Sequence, residues 1–286
     1  GGLLAWYADG TRTDYDRSKT TAADWAYWDT ESTSLFAEVS HYLTDDWQLN
    51  ARLNNGKTEG ESRLLYVYGV ADQDTGLGIE PYAGGNFGVD TEHQQMDMNA
   101  TGTFAWMGRR HDASLGVSHV QREFTAHSAF ATSVAPIGDF NQWDGSGYPE
   151  HVWGERFLYE EWTDTQSAAY GSMRLRLTDQ LTSIVGSRVT RQEIDREPAA
   201  YNAADKIEHD NIWIPYVGVL YALTDDYTVY ASYTDIFSPQ YERKANGEHL
   251  DPIRGESEEV GIKGEWLEDR LSASAAVFKI QQDNLA

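Results

Sequence analysis

The sequence predicts an all-β protein, a transmembrane antiparallel β-barrel with short periplasmic turns at one end of its strands and long extracellular loops at the other. Three observations predict this fold class. Apolar and polar residues alternate along many segments, five short turns connect those segments, three of them with the sequence Leu-Thr-Asp, and aromatic residues border the turns. Aromatic residues make up 13% of the chain, which indicates an ordered protein despite its many polar residues.

Composition excludes several function classes. The chain has 22 basic and 46 acidic residues, a net charge of −24, and such a surplus repels the phosphates of nucleic acids. It contains no cysteine, so disulfide scaffolds, thiolate metal sites and cysteine nucleophiles are excluded. No run of about 18 consecutive apolar residues occurs, so we predict no transmembrane helix.

The alternation is clearest before the second turn. In this segment the even-numbered positions carry apolar residues, among them Met96, Met98, Phe104 and Trp106. Most of the odd-numbered positions between them are polar. Side chains on a strand point alternately to its two faces, so we expect these four to face lipid. The residues expected to face the lumen are Asp97, Asn99, Thr101 and Thr103.

The turns recur at residues 43–47, 107–111, 177–181, 223–227 and 267–271. Most contain Thr and Asp, whose side chains bond to nearby backbone groups in tight turns. A strand on each side of each turn gives about ten strands. The aromatic residues near the turns are expected to form a girdle at the lipid headgroups: Tyr42, Trp47, Trp106, Tyr221, Tyr227 and Trp266.

The other connections are long, polar and aromatic, and we place them at residues 66–92, 124–161, 193–208 and 236–255. Short turns at one end and long loops at the other are typical of an outer-membrane barrel. A soluble β-sandwich also alternates, but the asymmetry of the turns and the length of the strands favour the barrel.

Residues 228–286 carry a family resemblance. They contain TVYASYTDIFSPQ, and then LDPIRGESEEVGIKGEWLEDRLSASAAVFKIQQDNLA. This segment resembles the barrel of TonB-dependent ferric-siderophore receptors. The segments GGLLAWYADGTRTDYDRSKTTAADWAYWDTE and AWMGRRHDASLGVSH resemble the hydroxamate-type (coprogen and rhodotorulic acid) and pyoverdine receptors of that family. One departure is Glu258, where the family commonly has Tyr.

The resemblance implies the architecture. Such receptors have a barrel of about 22 strands around an N-terminal plug domain. We therefore expect residues 1–286 to be an internal fragment of the barrel domain, about ten strands of the 22-stranded plugged barrel. The plug domain and the closing strands would lie outside this chain.

The resemblance also implies the activity, which is binding of a ferric siderophore and its import across the Gram-negative outer membrane. The implied partners are the TonB–ExbB–ExbD complex, acting through the N-terminal part, and outer-membrane lipid and lipopolysaccharide, with no nucleic acid. Iron would arrive inside the siderophore, so no cofactor is expected, and the histidines show no metal-site spacing. The sequence has no catalytic motif, so we expect no enzyme.

Aromatic residues in loops are the candidates for siderophore contact, because Trp and Tyr supply rigid contact area with a polar group at the tip. The resemblance favours Trp6, Trp153 and Tyr82, followed by Trp28 and Trp143. Two alternatives remain at this point. One is a passive porin or a receptor for another large ligand, such as cobalamin or a glycan, and the other is a soluble carbohydrate-binding sandwich.

Overall fold

The structure, a computed structural model, describes residues 5–240, 242–268 and 270–285. Ten long strands dominate it: β1 (Tyr27–Thr44), β2 (Trp47–Arg63), β5 (Asn86–Trp106), β6 (Arg109–Ala129), β9 (Phe157–Arg176), β10 (Leu181–Arg196), β11 (Asp205–Ala222), β12 (Tyr227–Ser238), β13 (Ile253–Trp266) and β14 (Leu271–Asp283). Four short strands lie between them: β3 (Val67–Gly69), β4 (Ile79–Pro81), β7 (Ala131–Ser133) and β8 (Val152–Trp153). One 3₁₀-helix covers Phe140–Gln142.

The long strands form a single antiparallel sheet in which each strand pairs with its neighbours along the chain. The order is β1-β2-β5-β6-β9-β10-β11-β12-β13-β14, and the pairs β3–β4 and β7–β8 are small separate sheets. Within the described residues the sheet is open, with β1 and β14 at its edges. The all-β antiparallel architecture and the number of long strands are as the sequence predicts.

One face of the sheet is continuously apolar. Residues directly opposite each other on antiparallel strands share a face, and the register aligns one row across seven strands: Val39, Ala51, Met98, Val117, Ala169, Val189 and Trp213. A second row crosses the last four strands through Val219, Ala231, Val260 and Val277. Such a band is the surface that a membrane barrel turns to lipid. The alternation predicted for residues 96–106 is confirmed, because Met98 lies in this band and Asp97 on the opposite face.

The opposite face is polar and linked by side-chain hydrogen bonds. Ser40 donates to Asn50 over 2.8 Å, Asn50 donates to Asn99 over 3.1 Å, and Asn99 donates to Asp97 over 2.8 Å. The hydroxyl of Tyr170 donates to the other oxygen of Asp97, also over 2.8 Å. These five residues, the polar rung, connect strands β1, β2, β5 and β9 by side chains alone.

Aromatic rings on this polar face lie over glycines of the neighbouring strand. A Cβ at Gly116 would lie 2.5 Å from the hydroxyl oxygen of Tyr170, so any larger residue displaces the ring. Among the described residues, four such glycine–aromatic joints occur on the polar face between directly opposed residues: Gly56 with His93, Gly116 with Tyr170, Gly186 with Tyr216, and Gly261 with Tyr230. Each ring therefore lies against the polar face of the sheet, over the neighbouring strand.

The buried His111 links the periplasmic ends of strands β5, β6 and β9 by hydrogen bonds. His111 is 1% exposed and shares the apolar face with Phe104, whose ring centroid is 5.3 Å away. Its Nε2 bonds to the carbonyl of Trp106 over 3.0 Å, and the backbone N–H of Arg176 donates to its Nδ1 over 3.0 Å. Because Nδ1 accepts, the ring is neutral and donates from Nε2.

The loop boundaries differ from those predicted. The connections at the extracellular end cover residues 64–85, 130–156, 197–204 and 239–252, so each is shorter than expected. The strands extend into the predicted loops because hydrogen-bonded pairing continues above the apolar band, where both faces carry polar residues and the alternation that marks a strand disappears. Residues 1–4 and Asp269 of the predicted turn 267–271 lie outside the described part. No helix among the described residues is long and apolar enough to cross a membrane.

Candidate functional site

Three extracellular segments fold together into one body, the loop assembly, which comprises residues 5–26, 64–85 and 130–156. Backbone hydrogen bonds join them, from Ala8 to Ala71 over 2.9 Å and from Asp24 to Gly145 over 3.1 Å. Its core consists of Tyr7, Ala23, Leu65, Ala71, Ile79, Ile137, Phe140, Trp143 and Tyr148. Among the described residues this is the hydrophobic cluster that gives the long loops a fixed shape.

Aromatic rings run through the loop assembly in contact with one another. The sequence of edge-on and stacked contacts, with ring centroids 5.2–6.3 Å apart, is Tyr7, Tyr15, Phe140, Trp143, Tyr148, His151 and Trp153. Such pairs stabilise a structure beyond the apolar area that they bury. The run connects the segment that carries Trp6 with the segment that carries Trp153.

Trp6 borders a partly open cavity of about 280 Å³ in the loop assembly. Its ring is 57% exposed, and its backbone pairs with that of Arg12 across a tight turn. The cavity lining is mainly apolar and aromatic: Trp6, Thr13, Tyr15, Thr21, Val67, Tyr68, Gly69, Ala71, Ile79 and Phe140. An exposed indole above an apolar cavity offers a ligand both contact area and a place for an inserted group.

Trp153 lies at the base of the loop 130–156 and is half-buried. Its ring is 5.3 Å from the ring of His151 and 6.4 Å from that of Trp25, centroid to centroid. Its Nε1 donates to Oε1 of Glu150 over 3.1 Å. A Cβ added at Gly85 would lie 3.5 Å from Cη2 of the Trp153 indole. The backbone φ of Gly85 is +139°, a value that favours glycine.

The other three sequence candidates lie in different surroundings. Trp143 is 9% exposed in the core of the loop assembly, between Phe140 and Tyr148. Tyr82 is 49% exposed and lies edge-on to Phe130. Trp28 is 71% exposed at the start of β1, on the polar face of the sheet. The structure thus brings Trp6, Trp143 and Trp153 into one body, with Tyr82 in the same body and Trp28 apart from it.

The loop assembly carries persistent negative charge. The pKa values of Asp9, Asp16, Asp72 and Asp144 are lowered because each carboxylate accepts hydrogen bonds from a Thr or Ser two or three residues further on. These acids are therefore ionised at neutral pH. Lys19, in contrast, directs its ammonium at the carbonyl oxygens of Trp143 (2.5 Å) and Asn141 (3.3 Å).

His151 is a site residue that sequence reasoning missed. It is 4% exposed among Trp25, Tyr148 and Trp153, and neither ring nitrogen has a hydrogen-bond partner. Burial lowers its pKa, so the ring is neutral. The sequence offered one signal, its position two residues before Trp153 in an aromatic segment. In the described part of the chain no group of three or more His, Asp or Glu side chains could hold a metal ion.

Comparison with known families identifies the class of protein. A family model described as "TonB dependent receptor-like, beta-barrel" matches residues 1–286. The chain belongs to this family, and its long strands are those of a β-barrel in the Gram-negative outer membrane. This confirms the resemblance drawn from residues 228–286.

Curated relatives narrow the comparison. The chain is 33% identical to the ferric-pyoverdine BN7/BN8 receptor of Pseudomonas putida, and the alignment covers 100% of this chain and 36% of that receptor. It is 31% identical to the ferripyoverdine receptor of Pseudomonas aeruginosa, covering 100% and 34%. A ferrioxamine B receptor of Salmonella typhimurium is 22% identical over 92% of this chain and 36% of its own length. The chain therefore spans about a third of the length of the relatives that it matches.

Solved structures of receptors share the fold of this chain. The structure of the FpvAI–pyocin S2 complex superimposes with a TM-score of 0.90 at 29% identity, covering 99% of this chain and 37% of that one. The ferripyoverdine receptor of Pseudomonas aeruginosa bound to ferripyoverdine gives a TM-score of 0.89 at 29% identity, covering 99% and 37%. The fold of this section of the barrel is thus shared with receptors whose ligands are ferric siderophores.

Proposed function

We propose that the protein to which this chain belongs binds a ferric siderophore at the extracellular face and imports it into the periplasm with energy supplied through TonB. The observation that carries this proposal is the exposed indole of Trp6 over the apolar cavity in a rigid loop assembly. The ferric-pyoverdine relatives favour a siderophore of the pyoverdine class as the ligand.

The roles of the candidate residues follow from their exposure. Trp6 and Tyr82 present exposed rings, and Trp153 presents the accessible part of its indole, so these three contact the ligand directly. Trp143 keeps the loop assembly in shape from within. Trp28 supplies a ring on the lumen side of the wall. The iron enters as cargo inside the siderophore, and no resident cofactor takes part.

The partners include more than the ligand. The TonB–ExbB–ExbD complex would act on a plug domain outside this chain, and the apolar face contacts outer-membrane lipid and lipopolysaccharide. The polar face, with its rung of hydrogen bonds, forms the inner wall around that plug.

The test uses the full-length receptor with Trp6→Ala or Trp153→Ala. Ferric pyoverdine and ferrioxamine B serve as probes, with binding followed by fluorescence quenching and uptake by labelled iron. A buried aromatic contact is worth about 2 kcal/mol or more, so each variant should lose about thirtyfold in affinity. Trp213→Ala is the matched control, because Trp213 is 60% exposed on the lipid side of the wall.

Outcomes separate the proposal from its alternatives. If both loop variants reach the membrane and bind both probes as tightly as the parent, the placement of the site is wrong. Uptake that continues unchanged in cells lacking TonB would instead support a passive porin.

A further inference from the structure

We infer that Glu150 is a positioning residue that sets the orientation of the Trp153 indole for ligand contact, with Arg63 as its anchor. This inference rests on the proposed function, because it concerns the same binding surface. It adds a charged residue that the aromatic pattern of the sequence does not indicate.

Glu150 is the link between the indole and the barrel wall. Its Oε1 accepts from Nε1 of Trp153 over 3.1 Å and from Nη1 of Arg63 over 2.6 Å. Arg63 is the last residue of β2, and its guanidinium lies 6.0 Å from the ring of Tyr27 at the start of β1. The carboxylate therefore connects the indole to the rigid ends of two strands.

The base of the same loop is fixed independently. Arg156 donates to both carboxylate oxygens of Glu61 over 2.8 and 2.5 Å, and to Asn86 over 2.8 Å. The N–H of Gly154 donates to the carbonyl of Phe130 over 2.9 Å. The Gly154 bond joins the two ends of the loop by their backbones, and the Arg156 side chain ties its last residue to β2 and β5, so the path of the chain here does not depend on Glu150 alone. We therefore assign to Glu150 the side-chain orientation of Trp153.

The Trp153 indole has one polar group, its Nε1–H, and the orientation of the ring decides whether this group meets an acceptor. The neighbouring rings of Trp25 and His151 meet it edge-on, and neither nitrogen of His151 has a hydrogen-bond partner, so His151 does not accept from Nε1 in the structure. Glu150 is the acceptor that the structure gives to Nε1. A hydrogen bond to an ionised carboxylate is stronger than one between neutral groups, so it selects one orientation.

The test compares Glu150→Ala with Glu150→Gln in the full-length receptor, using ferric pyoverdine as the probe. The amide oxygen of Gln still accepts from Nε1, whereas Ala cannot. We expect Glu150→Ala to weaken binding about tenfold and Glu150→Gln to stay within about threefold of the parent. Glu155→Ala is the matched control, since Glu155 is an exposed acid of the same loop.

A double-mutant cycle with Trp153→Phe tests whether Glu150 affects ligand affinity through the Nε1–H of Trp153. Phe keeps a ring but has no N–H, so Glu150→Ala should cost little further affinity in that background. Additive losses, or equal losses for Glu150→Ala and Glu150→Gln, would overturn the inference. If Trp153→Ala itself binds normally, the proposed site fails; if Trp153→Ala loses affinity and Glu150→Ala does not, the site stands and Glu150 has no positioning role.

Discussion

The joint between Gly116 and Tyr170 is a sharp test of how the wall is built. In Gly116→Ala the new Cβ would lie 2.5 Å from the hydroxyl oxygen and 2.8 Å from Cε2 of Tyr170, whereas ordinary contact begins at 3.4 Å. The ring must therefore retreat by about 1 Å. That movement stretches the 2.8 Å hydrogen bond from Tyr170 to Asp97 beyond the limit for a hydrogen bond.

Two opposing contributions set the magnitude. A hydrogen bond to an ionised carboxylate contributes about 1.5–3 kcal/mol, and replacing a strand glycine by alanine returns about 0.5–1 kcal/mol of backbone entropy. We expect Gly116→Ala to lower the free energy of unfolding by about 1–2 kcal/mol. Gly218→Ala is the matched control: its nearest neighbours would lie at 3.8 and 3.9 Å, so this variant should be stabilised by about 0.5–1 kcal/mol.

The assay is urea unfolding of the full-length receptor in detergent micelles, with tryptophan fluorescence and heat-modifiable gel migration as readouts. Tyr170→Phe removes the same hydrogen bond without the clash. In that background the penalty of Gly116→Ala should shrink, because the bond is already gone. A Gly116→Ala receptor as stable as the Gly218→Ala receptor would refute this reasoning.

Three further predictions concern buried groups. His111→Phe keeps the ring but leaves a backbone N–H and a carbonyl without partners, so the free energy of unfolding should fall by about 2–3 kcal/mol in the same urea assay; an unchanged midpoint would contradict it. The lowered pKa of His151 means that the folded loop assembly binds its proton less readily than the opened one. Its stability should therefore hold above about pH 6.5 and fall as the pH drops below that value, seen as faster surface proteolysis of residues 130–156. His151→Phe should remove this loss and leave only the loss at lower pH that comes from the carboxylates with lowered pKa values. Trp143→Phe should leave ferric-pyoverdine affinity within about threefold, because Nε1 has no hydrogen-bond partner, whereas Trp143→Ala should open the loops to protease at a cost of about 3–5 kcal/mol; equal behaviour of the two would argue against a core role.

The membrane-spanning part of the fold could be predicted from the sequence because its physics is local. Two-residue alternation around Met96, Met98 and Asp97 sets the faces, and the Thr-Asp turns set the register of neighbouring strands. Above the apolar band both faces of the strands are polar, so apolar and polar residues no longer alternate and the sequence does not show where a strand ends. The loop boundaries were for that reason the part of the fold that sequence reasoning misplaced.

The candidate site was harder to predict because it depends on distant parts of the chain. Phe140 lies beside Tyr15, and Arg63 reaches Glu150 across 87 positions. Neither contact could be predicted from the spacing of apolar and polar residues along the sequence. The family resemblance favoured Trp6 and Trp153 among the aromatic residues of the loops, but only the folded loops show that Trp143 lies inside the assembly and that His151 lies among the rings.

The polar rung also has a mechanical meaning. Main-chain ladders tie each strand to the next, and Ser40, Asn50, Asn99, Asp97 and Tyr170 add a transverse strap along the inner surface of four strands. Because these bonds run across the strands, a force that pulls neighbouring strands apart is opposed by side chains as well as by the main-chain ladders. The strap also reaches from β5 to β9 past the intervening β6, so the load is shared among strands that are not direct neighbours.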